Sequence, residues 1–183
     1  MARLPSAIDI VLRPASAWHA VYAADPSAIR SLAGHAVPLA LLPGLAWPVG
    51  QALSGDRPWQ AAGFWGSLVS TVGFTVASIV VLGMGLYVLS PFFVRERRWR
   101  SCLAVAAYAS TPVLLTGALL IMPVLIVASV AACIHCFALC YLGVQHVLGC
   151  PEEEAAFFVA GACMFALVAS LVLGGLCSAA GLI

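Results

Sequence analysis

The chain has 183 residues, of which 63% are hydrophobic and only 8% are charged, and its net charge is +1. A soluble domain of this length needs far more charge to cover its surface, and a nucleic-acid-binding protein needs a basic excess that is absent here. The composition therefore predicts an integral membrane protein with no nucleic-acid partner. All of its basic residues are arginine, which, with the many Ala and Gly residues, suggests a GC-rich bacterial genome.

Residues 1–30 are predicted to form a cytoplasmic, amphipathic amino-terminal segment. Charged and proline residues such as Asp9, Arg13 and Pro14 interrupt every apolar run in it, so it lacks the continuous apolar stretch of a signal peptide. Two groups of residues are expected to form apolar faces: Ile8, Val11 and Leu12, and then Trp18, Val21 and Tyr22. Such a segment lies on the membrane or covers its own bundle; recruitment of another protein is the alternative.

Residues 31–183 are predicted to form an all-α, five-helix transmembrane domain. Runs without Asp, Glu, Lys or Arg are long enough to cross the hydrocarbon core of a bilayer, which is about 30 Å thick. The predicted spans are residues 36–53, 63–89, 102–122, 124–148 and 155–176. Pro38, Pro43 and Pro48 predict kinks or irregular helix in the first span.

Residues 101–151 contain no charged side chain. As one helix this stretch would be roughly 75 Å long, too long for one crossing and about right for two. Pro123 lies where the chain is expected to fold back. A re-entrant hairpin at 101–151, which leaves three full spans, is the competing interpretation.

The arginines predict the orientation, because basic residues accumulate in cytoplasmic loops. Three lie in the amino-terminal tail and four lie between residues 95 and 100, whereas Arg57 alone falls in a loop on the other side. Five crossings, with the amino terminus in the cytoplasm and the carboxyl terminus outside, place both clusters on the cytoplasmic side. We expect a multi-pass protein of the bacterial inner membrane.

Four arginines form a basic cluster at the membrane surface. They are Arg95, Arg97, Arg98 and Arg100. Such a cluster sets topology and attracts anionic lipid, worth roughly 1 kcal/mol per charge. A docking site for a partner protein is the alternative, and a contact with the acidic residues Glu152–Glu154 is compatible with either interpretation.

The last predicted span carries small residues at intervals of four. They are Ala162, Ala166, Ser170, Gly174 and Ser178. Small side chains at this spacing let helices approach closely in a membrane. The sequence predicts a helix-packing face here and leaves open whether the contact is internal or with another subunit.

His135, with Cys133 and Cys136 beside it, is the main candidate for a metal or haem ligand set. Packing is the preferred interpretation, since the cysteines continue a stripe of small residues and no second cluster of ligands is visible. We expect His135 to hydrogen-bond to a Ser, a Thr or a carbonyl of a neighbouring helix. The sequence also lacks the common catalytic and phosphate-binding motifs, so neither an enzyme nor a cofactor is predicted.

Several short motifs stand in order along the chain: Pro14-x3-Trp18, Pro38-Leu39-Ala40, Ala107-Tyr108-x2-Thr111-Pro112, Pro123 and Tyr141-Leu142-Gly143. In this order they resemble the Ypt/Rab-interacting protein family, the Yip-one family, in its bacterial branch. The resemblance implies a five-helix membrane domain with a cytosolic amino terminus. Eukaryotic members bind prenylated Rab-type GTPases through a longer cytosolic region, and that role does not transfer to a bacterial chain with about thirty residues there.

The expected function is that of a non-enzymatic membrane protein, a partner-binding or accessory subunit of a membrane complex, whose partners are the lipid bilayer and other membrane subunits. The alternative is a transporter, channel or lipid-moving protein that uses its proline-broken helices. The lack of charged residues inside the spans disfavours ion-coupled transport, which usually needs such groups.

Overall fold

The computed structural model describes residues 4–54, 63–95, 98–122 and 126–179. These residues form helices, with no β-strand among them. The helices are α1 (Ala7–Leu12), α2 (Pro14–Ala24), α3 (Ala28–Ser31), α4 (Val37–Ser54), α5 (Gly63–Phe93), α6 (Trp99–Ala109), α7 (Thr111–Thr116), α8 (Ile126–Leu148) and α9 (Glu152–Ala179). A π-helix, Leu32–Ala36, joins α3 to α4, and a 3₁₀ helix, Gly117–Ile121, follows α7.

Five helical segments are long and apolar enough to cross a membrane, which confirms the predicted all-α, five-helix membrane fold. They are Ala28–Leu53, Gly63–Phe93, Trp99–Ile121, Val127–Leu148 and Glu152–Gly175. The first begins eight residues before its predicted start at 36, because α3 and the π-helix continue directly into α4. Pro123, the expected fold-back point, lies outside the described residues.

The third span is the most buried of the five and lies at the centre of the bundle. Every residue from Cys102 to Pro112 is buried, and α6 packs against α5, α8, α3 and the π-helix. Its side chains include several alanines, whose small size lets several neighbours approach one helix at once. The outer helices α5 and α9 pack against each other.

The amino-terminal segment covers this core. The indole of Trp18 in α2 is fully buried, and Gly143 of α8 accommodates it: a Cβ on Gly143 would lie 2.9 Å from the ring. Ile8 and Leu12, from the first expected apolar face, are exposed, and the buried residue of α1 is Ile10. Helix α1 has only six residues and contacts α7 and α6, so only the side that faces those helices is covered.

Pro91 and Pro112 are accommodated in the same way in their helices. A proline removes the N–H that would bond to the carbonyl four residues earlier, which frees the Tyr87 carbonyl before Pro91 and the Tyr108 carbonyl before Pro112. In each case the hydroxyl of the residue before the proline donates to that carbonyl: Ser90 Oγ to Tyr87 O at 2.7 Å and Thr111 Oγ1 to Tyr108 O at 2.6 Å.

The outcome differs between the two prolines. Helix α5 continues past Pro91 to Phe93, whereas the third span breaks at Ser110 and restarts as α7. The pattern Tyr-x-x-(Ser/Thr)-Pro therefore occurs twice, at residues 87–91 and 108–112.

The turn between α8 and α9 carries a cysteine with suppressed reactivity. Gly149 ends α8 with φ +69°, the αL geometry that glycine favours just after a helix. Cys150, only 5% exposed, donates its N–H to Val144 O at 3.1 Å. Burial raises the pKa of the Cys150 thiol, and the nearby Glu154 carboxylate raises this pKa further.

We expect the Cys150 thiol to alkylate more slowly at neutral pH than an exposed cysteine, because the thiolate is the nucleophile and a raised pKa lowers the thiolate fraction. Iodoacetamide kinetics between pH 7 and pH 10 on a variant whose only cysteine is Cys150 measure this. A variant whose only cysteine is introduced by Ala15→Cys, at an exposed position of α2, is the control. The expectation fails if both thiols reach their half-maximal rate at the same pH.

Candidate binding site at the charged end of the bundle

The predicted arginine cluster lies where α5 ends and α6 begins. Arg95 follows the span that ends at Phe93, and Arg98 immediately precedes the span that begins at Trp99. Both side chains are exposed, whereas Arg97, the remaining member of the loop cluster, lies outside the described residues. Trp99 stacks edge-on against Tyr87, with ring centroids 5.6 Å apart, and such rings favour the headgroup level of a bilayer.

Arg100 forms an ion pair that ties α6 to the amino-terminal segment. Its Nη2 lies 2.9 Å from Asp25 Oδ2, and both side chains are about half exposed. A pair this exposed contributes at most about 1 kcal/mol, so its main effect is to neutralise the Asp25 carboxylate beside the arginines. Asp25, with φ 37°, also ends α2 in an αL conformation that Asp tolerates better than most residues.

A cavity of about 710 Å³ opens at this end of the bundle. Its walls come from the end of α2, the loop before α6, the start of α6 and the end of α8. Polar and charged lining residues are Tyr22, Asp25, Arg95, Arg98, Ser101 and His146. The apolar part of its lining includes Val21 and Ala104, each only 1% exposed. The cavity therefore combines a cationic rim with an apolar floor.

Glu152–Glu154 form the exposed first turn of α9, where the helix dipole favours negative charge. They are not among the residues that line the cavity.

The small-residue face of α9 lies against α5 at two of its positions. Ala162 is fully buried, and a Cβ on Gly85 would lie 3.1 Å from the Ala162 carbonyl oxygen. Gly174 lies opposite Phe74, and a Cβ on Gly174 would lie 3.8 Å from the phenyl ring. Ala166 and Ser170 are half-buried, whereas Ser178 is exposed.

The His135 side chain, for which a hydrogen bond to a neighbouring helix was expected, has no partner at Nε2. This atom is buried without a partner in the described part of the chain, because the side chains around the middle of α8 are largely apolar. Within the described residues, no group of three or more His, Cys, Asp or Glu side chains is arranged to hold a metal ion.

A family model, the Yip1 domain, matches this sequence from residue 8 to residue 174. The match includes the amino-terminal helices, the charged cluster and nearly all of the membrane domain. The chain belongs to the Yip1 family. Comparison with curated proteins gives no match, and comparison with solved structures gives none either.

Three of the motifs that resemble the Yip1 family lie at helix contacts in the structure. Trp18, from the motif in α2, packs on Gly143, from the motif in α8. Tyr108 and Thr111, from the motif in the third span, surround His35, whose ring centroid lies 4.2 Å from that of Tyr108. These short motifs therefore mark helix contacts of this Yip1 family protein.

His35 is a buried polar residue that the sequence analysis did not single out. It lies in the π-helix, and its Nε2 is 2.9 Å from Thr111 Oγ1. Since the only proton on that hydroxyl is donated to Tyr108 O, Thr111 accepts here and His35 Nε2 carries the hydrogen. The signal that could have found it is a histidine inside an uncharged span, where a polar group needs a partner.

Replacing Thr111 with valine is expected to destabilise this Yip1 family protein by about 1–3 kcal/mol, because His35 Nε2–H and the Tyr108 carbonyl both lose their buried partner. Thermal unfolding in detergent measures the effect. The matched control is Thr116→Val, since Thr116 Oγ1 bonds only to carbonyls of its own helix, Pro112 O at 3.0 Å and Val113 O at 3.2 Å. Equal losses for the two variants would contradict the role of the His35 bond.

Proposed function

We propose that this Yip1 family member is a non-enzymatic, partner-binding subunit of a membrane complex in the bacterial inner membrane. Its amino-terminal segment, residues 1–30, and the arginine cluster lie on the cytoplasmic side, and its carboxyl terminus lies outside. The observation that carries the proposal is chemical: residues 58–94, 101–151 and 155–183 contain no Asp, Glu, Lys or Arg. Such spans offer few groups for acid–base or ion-coupled chemistry and many for packing against other helices.

The outer side of α9 is the surface that we propose for the partner. Helix α9 packs against α5 and α8, and several of its large apolar side chains are exposed. Exposed residues on this side are Phe157, Met164, Leu167, Val168 and Leu171. A transmembrane helix of a partner fits this surface, which lipid covers when no partner is bound.

Photo-crosslinking in the native membrane tests the proposal. A crosslinking residue at Phe157 or Leu171, which are 75% and 68% exposed, is expected to give one adduct of defined mass with a second membrane protein. Trp65 and Val69 of α5, which are 74% and 65% exposed, are the matched control positions and are expected to crosslink only to lipid. Lipid adducts alone from α9, with a monomer on purification in mild detergent, would refute the proposal.

The broken third span favours transport of a small molecule or lipid as a second candidate. The α-helix stops at Ser110 beside the buried His35, and broken helices form substrate sites in many transporters. Reconstituted vesicles test this candidate by flux or lipid scrambling, and rates equal to those of empty liposomes eliminate it.

A further inference from the structure

We propose that the cavity between α2, α6 and α8 binds the phosphate group of an anionic membrane phospholipid. This inference goes beyond the partner-binding role and does not depend on it, because the cavity belongs to one copy of the chain.

The charge of the lining selects an anion. Arg95 and Arg98 place two guanidinium groups in the lining, and the Asp25 carboxylate in the same lining is paired with Arg100 at 2.9 Å. A guanidinium carries five N–H donors, so it can bind phosphate beside another partner. The net charge of these four side chains is positive. Guanidinium groups match the oxygen geometry of phosphate and can bind it through two parallel hydrogen bonds.

The backbone around α6 adds to this preference. Helix α6 begins at Trp99, directly after Arg98, and the side chain of its N-cap residue makes no capping bond. The first-turn N–H groups and the positive end of the helix dipole favour an anion there. Ser101, in this first turn, adds a hydroxyl to the cavity lining.

The position of the cavity favours a lipid over a soluble anion. The rim lies level with the ends of three spans, at Phe93, Trp99 and Leu148, which is the depth of lipid headgroups. The apolar floor, with Val21 and Ala104, suits the glycerol and first methylene groups of a lipid, whereas free phosphate gains nothing from it.

The test compares single lipids bound to the purified protein in neutral detergent. Native mass spectrometry and thermal unfolding are measured with phosphatidylglycerol and with phosphatidylcholine of the same acyl chains. We expect one phosphatidylglycerol molecule per chain, a raised melting temperature, and no comparable effect of phosphatidylcholine. The double variant Arg95→Gln/Arg98→Gln is expected to lose affinity about 30-fold, from the usual contribution of two basic residues near anionic lipid.

Two further variants separate the site from general charge and from folding. Arg13→Gln removes one positive charge, half of what the double variant removes, at an exposed position outside the cavity and is expected to bind within about twofold of the wild type. Arg95→Lys/Arg98→Lys keeps both charges and replaces the glutamine variant in the test if that variant does not fold. It is expected to bind phosphatidylglycerol more weakly than the wild type, because Lys lacks the planar guanidinium group.

Three results would overturn the proposal. The first is unchanged lipid binding in both double variants. The second is a loss of lipid affinity in Arg13→Gln equal to that in Arg95→Gln/Arg98→Gln, which would indicate only general electrostatic attraction. The third is equal stabilisation by inorganic phosphate or by phosphatidylcholine, which would assign the cavity to a soluble anion or to any lipid.

Discussion

Replacing Trp18 with alanine is expected to lower the free energy of unfolding by about 3–5 kcal/mol. The indole is fully buried and fills the space above Gly143. Its Nε1 has no hydrogen-bond partner in the described structure, so its contribution comes from packing. The variant loses the contact that holds α2 on the bundle.

Thermal unfolding in detergent and limited trypsin digestion at Arg30, the exposed arginine that follows α2, measure this effect. The matched control is Tyr22→Ala in the same helix, whose side chain is 63% exposed and whose loss is expected to cost less than about 1 kcal/mol. Trp18→Phe should recover part of the stability, since an aromatic ring still fills the site. Equal stability of Trp18→Ala and Tyr22→Ala would show that the amino-terminal segment is not part of the folded core.

Replacing Gly50 with alanine is expected to destabilise the bundle by about 1–3 kcal/mol, because the added methyl group has no space. A Cβ at this position would collide with the carbonyl oxygen of Leu120 and lie 2.9 Å from that of Ile121. Both obstacles are backbone atoms of the 3₁₀ helix, so no side chain can rotate away. Relief requires α4 to separate from the end of the third span.

Gly73→Ala is the matched control, and its expected effect has the opposite sign. A Cβ at Gly73 has no atom within 4 Å, so the change adds only helix propensity, roughly 0.5–1 kcal/mol of stabilisation. Thermal unfolding of the two variants side by side gives the comparison. Destabilisation by Gly73→Ala, or no change in Gly50→Ala, would contradict the packing of α4 on the 3₁₀ helix.

The five-helix membrane fold was predictable because charge-free runs of span length have few alternatives in a bilayer. The αL cap at Gly149 was predictable because glycine is the usual residue in this position after a helix. The limits of the first and third spans were not, because they depend on tertiary partners. The break at Ser110 is stabilised by the Thr111 hydroxyl and by His35, a residue 76 positions away from Thr111.

The candidate site was predictable only in part. The arginine cluster is visible in the sequence. The ion pair between Arg100 and Asp25 is not, because the two residues are 75 positions apart in the chain. The cavity was equally hidden, since it needs α2, α6 and α8 to meet at one end. The side of α1 that packs on the bundle was not predictable, because a six-residue helix carries too few residues to define an amphipathic pattern.

The sidedness of the two chain ends tests the central claim most directly, namely that the bundle crosses the membrane five times with the arginine cluster in the cytoplasm. An epitope tag is placed before Met1 and another after Ile183, and a protease that cannot enter is added to intact spheroplasts. The account predicts that the carboxyl-terminal tag is digested and that the amino-terminal tag is lost only after the membrane is opened. Digestion of both tags, or protection of both, in intact spheroplasts would contradict it.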